Sequence, residues 1–195
     1  LLVIVHHWSP VRTPLHTYTA IFNGVDIFFV LSGFLITSIL LQNRNEAELL
    51  QVSKSTIVKS FFVRRVLRIF PVYYLLIFGL LLFSETTGTS IKENFIYYFT
   101  YTSNIYFFNI QAWDGILSHL WSLSVEEQFY LFWPWLMLFP KKNWLLPIIV
   151  FSICTGAFAQ ILLPHGGLLT FSCLDGFGTG AMLAWVLIYK PQFLE

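Results

Sequence analysis

Charged residues are scarce in this sequence. Only 11% of its 195 residues are charged, and only ten are acidic, whereas 56% are hydrophobic and 19% are aromatic. An ordinary soluble domain has about 25% charged residues. A soluble chain of this length would need a far more polar surface, so the composition argues against a soluble protein. It indicates a membrane protein whose solvent is mostly lipid.

Cysteine and strongly basic runs are also nearly absent. The two cysteines, Cys154 and Cys173, fall inside apolar segments. We interpret them as small core residues, with no disulfide framework and no metal-binding spacing. The net charge is +1, and no basic run of the kind that follows phosphates is present. We therefore expect no nucleic-acid partner.

The first residues, LLVIVHHW, form an apolar run that is too short to be a complete transmembrane helix. Such a helix takes about 20 residues. The run also lacks the charged start and the cleavage site of a signal peptide. We expect the sequence to be a fragment that begins inside a first transmembrane helix. Further helices are expected after its last residues, YKPQFLE.

Several longer apolar stretches predict an all-α fold, a polytopic bundle of transmembrane helices. The predicted spans are residues 23–42, 61–83, 125–139, 144–163 and 168–189. No internal repeat is visible, which weighs against a transporter built from repeats.

The stretch 84–124 is aromatic but rich in Asn, Thr, Ser and Gln, and its part 95–110 is long enough to be a span. If 95–110 does not cross, nine basic residues share one side of the membrane and only two, Arg12 and Lys92, lie on the other. The nine are Arg44, Lys54, Lys59, Arg64, Arg65, Arg68, Lys141, Lys142 and Lys190. Because basic residues concentrate at the cytosolic face, we interpret 84–124 as a long outer loop. Such a loop can be re-entrant where protein covers its backbone.

Two adjacent carboxylates, Glu126 and Glu127, open an apolar and aromatic helix. Ser124 and Glu127 have the spacing of a capping box, in which the glutamate bonds back to the serine amide. Glu126 suits the first turn, where the helix dipole favours negative charge, but one cap does not need two carboxylates. Pro134 lies inside the helix and removes one backbone hydrogen bond. A kinked helix headed by acids fits a cavity wall better than a lipid-facing rod.

The stretch HLWSLSVEEQFYLFWP (119–134) resembles the signature of the membrane acyltransferase-3 family, bacterial O-acyltransferases of cell-envelope carbohydrates. GVDIFFVLSGFLIT (24–37) looks like the family's second helix, and FFVRRVLRIFPVYY (61–74) looks like its R-x-x-R segment. LLVIVHHW looks like the end of its first helix. CLDGFGTGAMLAW (173–185) is similar to a later helix, although Cys173 stands where Arg is frequent. The resemblance implies that residues 1–195 are a partial transmembrane acyltransferase domain.

The resemblance implies a catalytic histidine in the first helix, eleven positions after a basic residue that would precede Leu1. Aligning LLVIVHH with the family's apolar run places this histidine at His7, with His6 as the alternative. Imidazole has an ordinary pKa near 6.5, so it can accept a proton from a sugar hydroxyl at neutral pH. The competing interpretation is that both histidines lie at the membrane interface, where a histidine costs little, and have no catalytic role.

Arg64, Arg65 and Arg68 lie where the third helix leaves the predicted cytosolic side. Anchoring by the positive-inside rule is one explanation for them. The other is that Arg65 and Arg68, three residues apart, share a helical face and bind phosphates bidentately. The resemblance implies the second role, with cytosolic acyl-CoA as the donor substrate and no bound cofactor.

The remaining candidates would position the acceptor or hold a helix end: Trp121, His119, Tyr130 and Asp26. Asp26, Val30, Gly33 and Thr37 recur at helical spacing, and a stripe of polar and small residues in a membrane helix faces protein. We therefore favour a buried structural or orienting role for Asp26.

The Asp175 region is interpreted as structural, because Gly176, Gly178 and Gly180 permit close helix packing. A zinc site made by His6, His7 and His16 lacks a supporting acid or cysteine. We therefore expect no metal.

The resemblance implies a multi-pass acyltransferase of the cytoplasmic membrane. It would move an acyl group, most simply acetyl, from cytosolic acyl-CoA to a hydroxyl of an envelope carbohydrate such as lipopolysaccharide. The donor would enter at the arginine end, and His7 with the Trp121–Glu127 region would act at the other end. The rival hypothesis is a non-enzymatic membrane carrier or exporter of a lipid or saccharide. It explains polar residues in helices but not a histidine paired with a donor-side arginine site.

Overall fold

The computed structural model describes residues 24–163 and 166–193, and these residues form helices and turns without a strand. The all-α prediction is therefore confirmed. The α-helices are α1 (Gly24–Leu50), α2 (Lys54–Leu82), α3 (Ser84–Thr87), α4 (Phe95–Phe99), α5 (Ser103–Ile110), α6 (Leu120–Leu138), α7 (Lys142–Leu162) and α8 (Leu174–Tyr189). Short 3₁₀ turns cover Gly115–His119, Gly166–Leu168, Thr170–Cys173 and Pro191–Phe193.

Four helical segments in the described residues are long and apolar enough to cross a membrane. They are α1, α2, α7 and the segment Thr170–Tyr189, which ends in α8. The chain is thus a multi-pass membrane protein, and four of the five predicted spans are confirmed. The fifth predicted span, 125–139, falls in α6. This helix has 19 residues but is not among the four segments that are apolar enough to cross. Its first turns carry two serines, two glutamates and a glutamine, which lower its hydropathy.

Helix α1 packs one face into the protein and presents the other outward. Ile27, Leu31, Leu35 and Ile39 are exposed along that outer face. A membrane helix stays apolar on its outer side because lipid is its solvent there. The buried face carries Phe29, Ser32, Gly33, Ile36, Thr37, Leu40, Leu41, Arg44 and Ala47.

Helices α1 and α8 approach each other at glycines. A Cβ atom added to Gly180 would lie 1.9 Å from the carbonyl oxygen of Val30, and one added to Gly33 would lie 2.1 Å from that of Phe177. On α7, a Cβ at Gly156 would lie 2.2 Å from the amide nitrogen of Asp175. Only glycine allows backbones this close. The packing role predicted for the glycines that follow Asp175 is therefore confirmed at Gly180.

We expect Gly180→Ala to destabilise the fold. The added methyl would collide with backbone, which cannot rotate away as a side chain can, and overpacking of this kind costs about 1–3 kcal/mol or more. The apparent melting temperature in detergent measures the effect. Gly79→Ala on α2 is the matched control, because a Cβ there meets nothing within 4 Å. Equal melting temperatures for the two variants would contradict the packing argument.

The segment 84–119 is folded but does not span. Its helices α4 and α5 have five and eight residues, and eight residues cover only about 12 Å at 1.5 Å per residue. Aromatic packing holds it against α2: the rings of Tyr73 and Tyr101 stack with centroids 4.1 Å apart, and the Tyr73 hydroxyl donates to the Tyr98 carbonyl at 2.6 Å. The prediction that 95–110 is not a transmembrane helix is confirmed.

This segment also packs back against the bundle. The hydroxyls of Ser103 on α5 and Ser124 on α6 are 2.8 Å apart and buried. The Gln128 amide donates to the side-chain oxygen of Asn104 at 2.9 Å and to the carbonyl of Tyr101 at 2.8 Å. The segment is thus covered by protein on this side, as a re-entrant loop requires.

The predicted capping box at Ser124 is wrong. The 3₁₀ turn Gly115–His119 runs directly into α6, which begins at Leu120, so Ser124 and Glu127 both lie inside the helix. The N-cap residue is His119, whose side chain makes no capping bond. Because Ser124 bonds Ser103 instead, helix capping does not explain Glu127.

Arg44 ties α1 to the opposite end of α6. It is 2% exposed, and its guanidinium donates to the carbonyls of Met137 at 2.8 Å and Pro140 at 2.7 Å. Its Nε donates to Glu48 at 3.1 Å, and Glu48 also pairs with Lys142 at 3.0 Å. These bonds satisfy carbonyls that the end of a helix leaves unpaired. Arg44 is therefore a structural anchor as well as one of the predicted cytosolic charges.

Candidate functional site

A buried carboxylate stands at the contact between α1 and α6. Glu126 is 6% exposed. Its Oε1 accepts a hydrogen bond from the Ser32 hydroxyl at 2.5 Å and another from the Tyr130 hydroxyl. An acid buried inside a transmembrane bundle is costly and is a functional candidate for that reason. The structure thus gives Glu126 two specific partners, one of them 94 residues away in sequence.

Arg65 on α2 packs over Tyr130, one of the two partners of this carboxylate. Its guanidinium carbon lies 4.3 Å from the centroid of the Tyr130 ring and 5.7 Å from that of Phe61, distances typical of cation–π contacts. Arg65 also interacts electrostatically with Glu127. Ser32, Arg65, Glu126 and Tyr130 therefore form one polar cluster where α1, α2 and α6 meet, which we call the glutamate cluster.

The three candidate arginines do not share one environment. Arg65 is partly buried and faces α6, whereas Arg64 and Arg68 are exposed. The sequence interpretation assigned the arginines and the glutamates to opposite ends of the site. The structure instead places Arg65 beside the glutamates, because α2 begins at Lys54 and carries Arg65 well inside the helix.

Glu127 occupies different surroundings from its neighbour. Successive helical residues point about 100° apart, and Glu127 turns toward α2 and the outer segment. It interacts electrostatically with Tyr73, Tyr74 and Tyr101. Its Oε1 is buried and has no hydrogen-bond partner among the residues that the structure describes. Glu126 thus contacts α1, whereas Glu127 faces α2 and the outer segment.

A cavity of about 530 Å³ opens beside the glutamate cluster. It lies at the end of the bundle where α1, α6 and α8 begin and α7 ends. Gln160 donates to the Asp175 carboxylate and to the Ser172 carbonyl, both at 2.9 Å. The described lining residues are Asp26, Phe29, Val30, Trp121, Gln160, Leu163, Gly167, Cys173, Asp175, Gly176 and Thr179.

The cavity and the glutamate cluster are neighbours along the same helices. Phe29 lines the cavity, and Ser32 follows it by three residues on α1. Trp121 lines the cavity, and Glu126 follows it by five residues on α6. These steps correspond to about 4.5–7.5 Å along the helix axes. The rings of Phe29 and Trp121 meet edge to face with centroids 5.9 Å apart, so the glutamate cluster lies about one turn below the cavity wall.

The predicted acceptor-side residues divide between these two places. Trp121 and Asp26 line the cavity, and Tyr130 belongs to the glutamate cluster. His119 is exposed where α6 begins. The predicted burial of Asp26 is wrong, because it lies exposed in the first turn of α1. The other predicted candidates, His6 and His7, lie outside the described residues.

Sequence reasoning missed Ser32, Gln160 and Thr179 and gave Asp175 only a packing role. The sequence did contain a signal that could have identified them: polar residues inside apolar helices usually face protein or a cavity. Thr37 shows the same pattern, since its buried hydroxyl accepts a hydrogen bond from the Trp133 indole at 2.8 Å.

The described residues contain no group of three or more His, Cys, Asp or Glu side chains that could hold a metal ion. Of the zinc site weighed from the sequence, His6, His7 and His16 all lie outside those residues. Cys173 is buried and Cys154 is exposed, and both are free thiols.

Comparison with known proteins identifies relatives of the chain. A family model described as an acyltransferase domain matches residues 1–188. The chain is 41% identical over 149 residues to the peptidoglycan O-acetyltransferase OatA of Listeria monocytogenes, covering 69% of this chain and 22% of that protein. It is 34% identical over 163 residues to YrhL of Bacillus subtilis, which is named as a proposed peptidoglycan O-acetyltransferase. This match covers 75% of this chain and 25% of that protein. The chain thus spans about a quarter of the length of these relatives, and no solved structure matches it significantly.

Proposed function

The chain belongs to the acyltransferase-3 family, and we propose that it is the membrane part of an O-acetyltransferase that modifies a cell-envelope glycan. The observation that carries the proposal is the family match over residues 1–188. The geometry supports it because a buried carboxylate with hydroxyl partners lies next to a polar cavity. A reaction between a sugar hydroxyl and an activated acyl group needs both a polar pocket and a way to handle the hydroxyl proton.

We propose the following reaction. The oxygen of the acceptor hydroxyl attacks the carbonyl carbon of an acyl thioester, most simply acetyl-CoA. A new ester C–O bond forms and the C–S bond breaks, so CoA leaves as a thiol after it takes up a proton. His7 is the proposed base that accepts the hydroxyl proton, with His6 as the alternative. The carboxylates of the site, Glu126 above all, would orient the groups that react.

For the acceptor, we propose peptidoglycan. Two relatives carry peptidoglycan O-acetyltransferase in their names, which favours this glycan over the lipopolysaccharide considered from the sequence. The proposed location is the cytoplasmic membrane, with the cavity end of the bundle outside. The distribution of basic residues supports this orientation, because Arg44, Lys54, Lys141 and Lys190 stand at the opposite helix ends.

Mass spectrometry of envelope glycans from cells with and without the complete gene tests the proposed function. Loss of O-acetyl groups on deletion and their return on complementation are the expected results. Unchanged acetylation, together with accumulation of a lipid or saccharide inside the cell, would overturn the proposal and favour the carrier or exporter.

The donor is proposed to bind through Arg65 and Arg68. We expect Arg65→Ala and Arg68→Ala to raise the KM for acyl-CoA more than the KM for the acceptor. Loss of one charge-assisted phosphate contact costs about 1.5–3 kcal/mol, which is roughly 10-fold to 150-fold in KM. Arg→Lys should restore only part of the loss, because the bidentate fork is missing.

The effect of Arg65→Ala is harder to interpret than that of Arg68→Ala. Because Arg65 also packs on Tyr130, its loss can disturb the glutamate cluster, whereas the exposed Arg68 reports on the donor alone. Lys59→Ala is the matched control, because Lys59 is an exposed basic residue of α2 outside the three candidates. Equal rises in KM for donor and acceptor would indicate a structural role for these arginines.

A further inference from the structure

We propose that a groove between the start of α7 and the end of α8 binds the phosphate of an anionic phospholipid, such as phosphatidylglycerol. This groove, which we call the headgroup groove, has a volume of about 500 Å³ and lies at the opposite end of α7 and α8 from the cavity beside the glutamate cluster. Its described lining residues are Lys142, Asn143, Leu146, Pro147, Trp185 and Tyr189. The inference does not rest on the proposed function. It needs only that this end of the bundle meets a membrane surface.

The chemical groups of the headgroup groove change with depth. Lys142 is the first residue of α7 and Tyr189 is the last residue of α8. Leu146 and Trp185 lie four residues further in on the same helices, about 6 Å deeper at 1.5 Å per residue. The groove is thus charged at its rim and apolar one turn below. A phospholipid has its phosphate and acyl chains in the same order, and Tyr and Trp are enriched at the level of the headgroups.

The Lys142 ammonium is held at the rim before any lipid binds. It pairs with Glu48 at 3.0 Å and lies 5.6 Å from the centroid of the Tyr189 ring. The Tyr189 hydroxyl is fixed in turn, because it donates to the side-chain oxygen of Asn45 at 3.0 Å. An ammonium has three N–H donors, so the pair with Glu48 leaves donors for a phosphate oxygen. A prearranged donor reduces the entropy lost on binding.

Positive charge is in excess around the headgroup groove. Lys141 directly precedes Lys142, and Lys190 directly follows Tyr189. Both lysines are exposed, and neither pairs with an acid among the residues that the structure describes. Glu48 does not balance them, because it is already shared by Lys142 and Arg44. Basic pockets between transmembrane helices are typical binding sites of anionic headgroups.

Pro147 adds a hydrogen-bond acceptor to the same groove. It lies inside α7 and has no N–H to donate to the carbonyl of Asn143, four residues earlier. That carbonyl lacks its usual helical donor, so it can accept a hydrogen bond from a headgroup hydroxyl. Both residues line the groove. A glycerol headgroup, which combines a phosphate with hydroxyl donors, therefore matches Lys142 and Asn143 together.

An apolar track continues from the groove along α7. Phe151 follows Pro147 by four residues, and Phe158 follows Phe151 by seven, so the three share one side of the helix. Both phenylalanines are exposed. An acyl chain can lie along this track while its phosphate stays at the rim. A water-soluble phosphate compound has no use for such a track, which favours a lipid over a soluble ligand.

Photolabelling of the whole protein in nanodiscs tests the inference without turnover. The discs contain phosphatidylcholine and a small fraction of phosphatidylglycerol that carries a photoactivated diazirine near its headgroup. We expect mass spectrometry to find the label on residues 141–147 and 185–190. Excess unlabelled phosphatidylglycerol should suppress this labelling, whereas the same excess of phosphatidylcholine or of acetyl-CoA should not.

Variants test the contact with the phosphate. Lys142→Gln and Lys190→Gln should each lower the labelling by about 5-fold, the usual contribution of one basic residue near anionic headgroups. Lys142→Arg keeps the charge and should keep most of the labelling. Lys142→Gln also removes the ion pair with Glu48, so its melting temperature is measured alongside. Lys190→Gln breaks no ion pair of the described residues, and Lys59→Gln, at an exposed lysine of α2, is the matched control.

Several results would overturn the headgroup groove. One is the absence of label at these residues in the whole protein, as when another part of it fills the groove. Equal suppression by phosphatidylcholine would show contact without selection, and suppression by acetyl-CoA would assign the groove to the donor. Labelling that is unchanged in both glutamine variants would remove the phosphate contact. Loss of acyl transfer in the whole protein would overturn the proposed function alone, because no readout here depends on turnover.

Discussion

Glu126→Gln should lower acyl transfer by the whole protein by about 100-fold or more, the usual scale for loss of a group that moves or orients a proton. The protein should still insert and fold. The substitution keeps the size of the side chain and a carbonyl oxygen that can accept from both Ser32 and Tyr130. It removes the negative charge of the group that accepts these two bonds. A loss of turnover therefore reports on the charge.

Variants of the two hydrogen-bond partners separate orientation from charge. Tyr130→Phe keeps the ring under Arg65 but deletes the hydroxyl, and Ser32→Ala deletes the other donor. Both should lower turnover less than Glu126→Gln, because each leaves the carboxylate one hydrogen bond. Turnover, protein abundance in the membrane and melting temperature are measured together. A fall in melting temperature that accounts for the lost activity would indicate a structural role.

Glu127→Gln is the companion variant. Glu127 does not cap the helix, since Ser124 lies inside α6, and its buried Oε1 has no hydrogen-bond partner in the described residues. We expect turnover to collapse in at least one of the two glutamine variants, and foremost in Glu126→Gln. Near-normal turnover in both would remove the glutamates from the site and leave them as structural residues.

His7→Ala should abolish acyl transfer while membrane insertion stays normal. A general base typically contributes about 10²–10⁴ in rate, and alanine has no group that accepts a proton. The prediction comes from the alignment of LLVIVHH with the family's first helix, because residues 1–23 lie outside the described structure. Acetylation of the envelope glycan by variants of the whole protein, normalised to its abundance in membranes, is the measurement.

His6→Ala is the matched comparison for this experiment. Retained activity in His7→Ala with loss in His6→Ala would place the catalytic position one residue earlier. Normal activity in both would show that the mechanism uses neither histidine.

The sequence alone was enough for the architecture of this protein. Long apolar runs predict membrane helices because a helix needs about 20 apolar residues to cross a bilayer, and four such segments are present. The basic residues predicted that 95–110 does not cross, and the short helices of this segment agree with that prediction. The motifs around Glu126 and at 24–37 were enough for the family. These properties are carried by neighbouring residues, so a single sequence contains them.

The tertiary structure decided which of these residues meet. No local pattern pairs Ser32 with Glu126, which lie 94 positions apart, or aims Arg65 at Tyr130 across two helices. The contact between α1 and α8 exists because Gly180 lets the backbones touch. It also helps to bring Asp26 and Asp175 to one cavity. The prediction of a capping box was also wrong because it used local spacing alone. The spacing fits a helix that begins at Ser124, but the 3₁₀ turn Gly115–His119 leads into a helix that begins at Leu120. Spacing along one helix fixes which face a residue occupies, and only the packing of helices fixes what that face contacts.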